Sequence, residues 1–504
     1  MSTPKIGTPE QFEVFRSFLR RANYRESEIQ QRLGLSTCGQ LDLIALPPSL
    51  VEKLSANDAL DLIIRLFLIG GYVERGEAER ACSVPVWQAA RDLGLLESEA
   101  SHPEKWFATV ALYPIGDVFI ISDRWTNPDG SPKPSFSDIV YPALSPNSLE
   151  LLSWLPDESC DSFLELCGGA GAAALQCAKL ARKSLSADIT QRSALFAKFN
   201  GALNGVANFE SLEGDLYAPF KGQTFDRICA HPPYVPVLQQ KDIYFGGGED
   251  GEEIARRIIQ ELPDYLRPGG RLYCRTLGTD REGAPFERRV REWLGEKQSE
   301  FDVAIFVGKN IEPFRFAVES AVKSGRGAAE VNDWKSLFGK HHIQDLLVGL
   351  ILIQRVKEPR AVFTIRRTLG EQRGRNVLEW ILGWEERMVQ PQALEALLAM
   401  KPRVSPHMNL NIRHQVESGE FVPRDFALST LFPFQTDTRL QPWMCSMICR
   451  CDGTHTIAEL HGICKESGWI RPETPMKEFA GLAKVLISGG FLEVDEARLP
   501  AAAK

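Results

Sequence analysis

A chain of 504 residues exceeds one ordinary hydrophobic core, so roughly two to four domains are expected. With 44% apolar and 25% charged residues its composition is globular, which excludes a largely disordered chain. A net charge of -8 gives no bulk attraction to phosphate, so a nucleic-acid partner would depend on a local basic patch.

The first residues, MSTPKIGTPEQFEVFRSFLRR, lack an uninterrupted apolar stretch and do not read as a secretory signal. The longest apolar runs, near Leu62–Gly70 and Leu346–Ile353, are too short to span a membrane. Eleven cysteines are scattered, several within apolar segments such as Cys177, Cys229 and Cys274. That distribution fits reduced thiols in a cytoplasmic protein better than a disulfide framework.

Residues 1–123 form an expected accessory region. Phe12, Phe15, Phe18 and Leu19 recur at helical spacing, and Pro47-Pro48 interrupts the helices. ALDLIIRLFLIGG, EAERAC and VPVWQAARDLGLLE read as three further helices. FATVALYPIGDVFIISD reads as a hairpin turning at 114–117, the order of a winged-helix module. The third helix carries too few Lys and Arg to grip a nucleic-acid backbone, so packing or partner binding is the expected role. Residues 124–144, rich in Pro, Ser and Asp, read as a linker or a lid.

Residues 145–372 alternate strands and helices as an α/β domain does, with a helical insertion near 310–342. FLEL, LSAD, the run ending at EGD, and FDRICA are strands, each ending in a residue suited to a ligand. After FLEL come Cys167-Gly168-Gly169-Ala170-Gly171 and an Ala-rich helix. Small residues permit close backbone approach, and the helix start offers N–H groups to a carboxylate. A plain tight turn would carry the same glycines. Asp188, ending the second strand, suits ribose hydroxyls. Asp215, after the third, suits the exocyclic amine of adenine. Either acid alone would more often be a helix cap or loop residue; their succession after a glycine turn points to a nucleoside ligand.

His231-Pro232-Pro233-Tyr234 follows the fourth strand. Two prolines hold an extended loop whose carbonyls can accept hydrogen bonds, and Tyr234 can stack on a planar group. Asp250 and Glu253 have capping-box spacing at the next helix start. DLLVGLILIQRV and RAVFTIRRT read as two late strands forming a terminal antiparallel hairpin. Residues 373–504 read as a helical or winged-helix-like domain containing NVLEWILGWEERM, TIAELHGICKESG and KEFAGLAKVLISGGFLEV.

The order ELCGGAG, AD, GD, HPPYVP and LRPGGRLY resembles class I S-adenosylmethionine (SAM) dependent methyltransferases of the HemK/PrmC and "methyltransferase small" type. The resemblance is strong over 140–280, weaker on either side and absent from the C-terminal third. It implies a Rossmann-like domain with a seven-stranded, mostly parallel sheet and methyl transfer to an N–H or O–H of a protein side chain or small molecule. RNA or DNA base methylation, or a SAM-binding regulator, are the alternatives. It further implies that Glu165, Cys167, Gly169 and Gly171 line the methionine part of SAM, with Asp188 on the ribose and Asp215 on the adenine. His231, Pro232 and Tyr234 would serve catalysis. Cys167 replaces the family's first glycine, and His231 its Asn or Asp. A histidine with an unperturbed pKa near ~6.5 could accept one hydrogen bond and act as a base near neutrality.

Two other clusters are weighed. Cys445, Cys449, Cys451 and Cys464 with His455 and His461 match no zinc spacing, so no metal is expected. Arg366, Arg367, Arg373 and Arg375 could hold an RNA or an acidic partner, though charge runs are usually solvated.

Overall fold

The computed structural model describes residues 3–41, 48–54, 57–133, 137–239, 243–371 and 373–495; the expected break at Pro47 lies outside them. Contacts divide the chain into two units, Met1–Thr279 with Pro313–Ile343, and Asp280–Glu312 with Gln344–Lys504. The four-part organisation expected from the sequence is crossed by this division. The first unit joins the accessory region to most of the α/β domain because they share one apolar core, from Phe12 and Phe67 to Phe196 and Leu203.

That unit opens with α1 (Pro9–Arg21), capped by Thr8 and Gln11, and α2 (Glu26–Leu33). All four apolar residues singled out in α1 are buried. Then follow α3 (Ala59–Ile63) running into a π-helical turn to Ile69, β1 (Val73–Glu74), α4 (Arg75–Ala81) and α5 (Val84–Asp92). Strands β2 (Leu96–Ser98) and β3 (Lys105–Ala108) complete an antiparallel sheet in the order β1-β3-β2. The elements follow the order expected of a winged helix, with β2–β3 as the hairpin that follows the helices. The hairpin expected to be the wing exists as β4 (Ala111–Ile115) and β5 (Val118–Ser122), with both strands buried and only the turn at Gly116-Asp117 exposed. A wing needs exposure, and every residue of these two strands is inside.

The α/β part contains α6 (Pro146–Trp154), β6 (Cys160–Leu166), α7 (Ala172–Cys177), β7 (Ala181–Asp188), α8 (Gln191–Asn204), β8 (Phe209–Glu213), β9 (Phe225–Ala230), α9 (Glu253–Tyr265) and β10 (Leu266–Arg281). Its strands are parallel in the order β10-β9-β6-β7-β8, a Rossmann-like arrangement. Chain order reverses between β6 and β9, and such switch points open a crevice at the carboxyl ends of the strands.

Two asparagines of α8, Asn200 buried and Asn204 partly so, tie β5 to this helix. Asn200 accepts from Ile121 N at 2.8 Å and donates to Ile121 O at 3.2 Å and Ala170 O at 2.9 Å. Asn204 repeats the pairing at Phe119, accepting from its N–H at 2.8 Å and donating to its carbonyl at 2.7 Å. The expected linker is also packed. Arg124, buried, donates to the carbonyls of Leu66, Phe67 and Ile69, closing the end of the π-helical turn. Asp123 accepts from Val140 N at 2.7 Å and pairs with Arg192.

Helix α9 begins at Glu253 rather than Asp250, and the expected capping box is not made. Asp250 instead accepts from Glu252 N and pairs with Arg256. The insertion is a helical pair, Pro313–Ser324 and Ala328–Lys340, in which Lys340 and His341 hold Glu249.

In the second unit, β11 (Phe301–Ile311) lies between β12 (Ile343–Arg355) and β13 (Thr364–Thr368). The antiparallel pair is β11–β12, whereas β13 runs parallel to β11; the expected hairpin of the two late strands is not formed. Five strands in one unit and three in the other exceed the seven expected. Arg366 pairs with Asp280 and Glu287, and Arg367 with Glu385, so two members of the basic run are neutralised within the fold. Helices Arg375–Met388, Ile457–Glu466 and Met476–Ser488 stand where the sequence suggests. A three-stranded ribbon over 409–440 was not legible. Among the described residues no His, Cys, Asp and Glu cluster could hold a metal, and no helix is long and apolar enough to cross a membrane.

Candidate active site

A cavity of about 390 Å³ opens at the carboxyl ends of β6, β7, β8 and β9. Glu165, Cys167, Gly169, Asp188, Asp215, His231, Pro232 and Tyr234 all line it. Gly171 does not. It is the N-cap of α7, at φ 75°, and a Cβ there would lie 2.9 Å from Ala197 and 3.2 Å from Phe209. Its glycine serves helix packing, not the cavity wall.

The turn between β6 and α7 is held from both sides. Gly168 comes so close to β7 that a Cβ would meet Ser186 Oγ at 2.1 Å. Gly169 N donates to Asp188 Oδ2 at 2.9 Å, and Asp188 Oδ1 accepts from Thr190 N at 3.1 Å. Cys167 takes a left-handed φ of 52°, a conformation that costs most L-residues about 1–2 kcal/mol. The family's glycine at this position has a steric reason, which the cysteine meets at a conformational cost.

Glu165 corrects an expectation about the helix start. Its carboxylate accepts from Ala173 N at 3.2 Å and Ala174 N at 2.9 Å, so the protein's own acid occupies donors expected to face a ligand carboxylate. Burial pushes the Glu165 pKa up to about 7, against the lowering effect of those two bonds. Asp215 is approached by Arg257, which donates to its Oδ2 at 2.7 Å.

The His231 loop also differs from expectation. Its imidazole stacks on the Tyr234 ring at 5.6 Å and 15°. Burial, reinforced by the nearby Arg275 charge, lowers its pKa to about 3. His231 is therefore neutral at physiological pH: one ring nitrogen can accept a hydrogen bond, but the group is not the near-neutral base its unperturbed value suggested.

Several lining residues were not singled out in the sequence. Ser137, Asp138, Ile139 and Tyr141 come from the expected linker, which forms one wall of the cavity. Tyr141 stacks on Tyr244 at 5.9 Å, with Trp125 edge-on to both. Asn147 of α6 donates to Tyr234 Oη at 2.8 Å. Irregular segments carry no periodicity, so only their density of aromatic residues could have marked them.

Residues 143–278 match the family described as Methyltransferase small domain. They are a class I methyltransferase domain of the HemK/PrmC-like kind. Among the relatives of this methyltransferase domain is a Methanocaldococcus jannaschii protein whose name, protein N5-glutamine methyltransferase, is itself provisional. It is 39% identical over 131 residues, 25% of this chain and 66% of its own. A release factor glutamine methyltransferase of Thermodesulfovibrio yellowstonii is 34% identical over 22% of this chain and 44% of its own. A ribosomal protein uL3 glutamine methyltransferase of Bradyrhizobium diazoefficiens is 31% identical over 28% and 49%. The chain thus spans between 44% and 66% of the lengths of these relatives.

Proposed function

We propose that this chain is a SAM-dependent methyltransferase acting on an N–H or O–H group of a protein side chain or small molecule, and yielding S-adenosylhomocysteine. The observation that carries this reading is the meeting of Glu165, Asp188, Asp215 and the His231–Tyr234 loop in one cavity at the sheet's switch point. Bound there, SAM would supply an electrophilic methyl group. Asp188 is suited to the ribose hydroxyls. Asp215, with Oδ2 held by Arg257, is suited to accept from the adenine amine. Glu165, its oxygens already turned to α7, is suited to the ammonium of the methionine part rather than its carboxylate.

On the acceptor side, neutral His231 would accept a hydrogen bond from the incoming N–H, aiming the lone pair at the methyl carbon. In-line positioning of this kind is worth ~7–11 kcal/mol of barrier, so neither a metal nor a covalent intermediate is needed. The relatives are named for glutamine side chains of proteins, which supports a protein N–H acceptor. A nucleic acid is less well served: Asp138, Glu165, Asp188 and Asp215 line the cavity, and Arg257, the one guanidinium among its described lining residues, is paired to Asp215.

The test is calorimetry with S-adenosylhomocysteine, followed by transfer of labelled methyl from SAM into cell-lysate fractions. Asp188→Ala should abolish binding, while His231→Ala should retain binding and lower transfer by ~100-fold. An absence of binding by the parent protein refutes the cofactor assignment. Full transfer by His231→Ala refutes the role of His231.

A further inference from the structure

Arg275, on β10 at 3% exposure, reaches the reactive loop through contacts that sequence spacing does not reveal. Its Nη2 donates to Asn147 Oδ1 at 2.8 Å and lies 3.2 Å from Glu150 Oε2. The guanidinium carbon sits 6.0 Å from the Tyr234 ring centre and 5.9 Å from that of Trp154. Asn147 passes the contact onward, its Nδ2 donating to Tyr234 Oη at 2.8 Å.

The direction of this chain is fixed by chemistry. A guanidinium has no acceptor, so Asn147 must turn its oxygen to Arg275 and its NH₂ to Tyr234. The Tyr234 oxygen is thereby the acceptor, and its ring is clamped between the amide at one end and the cation on its face. His231 lies on the same ring. A turn of Tyr234 would carry the imidazole with it.

We propose that Arg275 is a positioning residue for the acceptor group: acting through Asn147 and Tyr234, it sets the orientation of the His231 imidazole that receives the substrate N–H. The proposal rests on the methyl-transfer reading given above. Arg275 has a second effect on the same group. Burial of the ring disfavours a protonated imidazole most, and the positive charge of Arg275, from β10, adds to it. Glu150, from α6, offsets part of that charge. One buried cation thus aligns the imidazole and adds to the burial that keeps its acceptor nitrogen free of a proton.

The experiment uses the full chain bound to S-adenosylhomocysteine, with ¹³C-labelled histidine observed by NMR and the His231 signal assigned by its loss in His231→Asn. Removing Arg275 alone would take a positive charge from beside Glu150, so the main variant, the pair Arg275→Met with Glu150→Gln, removes both charges together. It is expected to bind S-adenosylhomocysteine within about threefold of the parent, while its His231 signal titrates at a higher pH than the parent's, by less than the part that burial holds down. Methyl transfer from labelled SAM to lysate acceptor is expected to fall by ~10–100-fold, most steeply at the acid end. An unmoved His231 signal together with unchanged transfer would overturn the proposal.

Should the double variant fail to fold, Arg275→Lys decides. It keeps the charge but loses the planar fork, so His231 should stay untitrated while transfer falls by ~10-fold. Transfer equal to the parent's overturns the positioning role. The two readings fail differently: an absence of S-adenosylhomocysteine binding by the parent refutes the cofactor site, whereas normal binding with inert Arg275 variants refutes only the positioning role.

Discussion

Replacing Asn200 by alanine probes the joint between the accessory hairpin and the cofactor turn. The side chain is fully buried and makes three backbone hydrogen bonds, two to Ile121 and one to Ala170. Truncation strands one N–H and two carbonyls. Each buried unpaired group costs roughly 1–3 kcal/mol, and allowing for partial rehydration a total of about 3–5 kcal/mol is expected. Because two units need not unfold together, the assay is local: hydrogen exchange at the Ile121 amide, which should accelerate by more than about a hundredfold. Asn200→Asp is the sharper companion. It keeps the acceptor for Ile121 N but faces two carbonyls with an oxygen in place of the donor. It should be worse than alanine at neutral pH and recover as the pH falls and the acid protonates. Less than about 1 kcal/mol of loss in the alanine variant, or an Asp variant as protected as the parent, would refute the reasoning.

Three further outcomes are expected. The buried Glu165, with its pKa raised to about 7, favours the protonated form in the fold; its contribution is full below the unfolded value and lost as pH rises through about 7. Glu165→Gln should therefore gain stability over the parent progressively between these values, while SAM binding by the parent should tighten over the same range with proton release, as read by calorimetry in buffers of different ionisation enthalpy. The glycines of the turn should separate. Gly171→Ala meets Ala197 and Phe209 and should cost about 2–3 kcal/mol in denaturant titration with little change in S-adenosylhomocysteine affinity. Gly169→Ala, with open space around its Cβ but a left-handed φ of 51° and a place on the cavity wall, should cost only the conformational ~1–2 kcal/mol in stability and lose affinity as well in the same pair of measurements. Arg124→Met removes donors to three buried carbonyls and should lower thermal stability by about 2–4 kcal/mol, read as a downshifted first transition in calorimetry.

What the sequence reveals here follows the reach of its periodicities. The apolar runs of β6, β7 and β9 and the glycines after β6 are local signals, and the acids at their ends fall on the cavity as spacing suggests. Gly171 misleads because a glycine needed for close packing of α8 looks like one needed for a ligand. His231 misleads for another reason: the burial that sets its protonation, and the Arg275 charge that adds to it, come from residues remote in the chain. The hairpin β4–β5 is easily read as a hairpin, but whether its faces meet solvent depends on α8 and the shared core. The pairing of β11 with β12 likewise depends on which neighbour each edge meets, and the alternation of residues does not encode that choice.

The asparagine ladder from α8 to β5 bears on how this protein can be handled and how it could have been assembled in evolution. A cut near residue 124 or 145, natural from composition, would strip α8 of a buried strand and leave the amides of Asn200 and Asn204 facing water beside bare phenylalanines. The catalytic domain is consequently not a portable cassette. Trimmed expression fragments should be cut outside the hairpin, and a transplanted domain would have to bring residues 1–122 with it. Sequence change at Asn200 and Asn204 is constrained jointly with that of a strand about 80 positions upstream, because the amide must match main-chain groups that only a correctly seated hairpin presents.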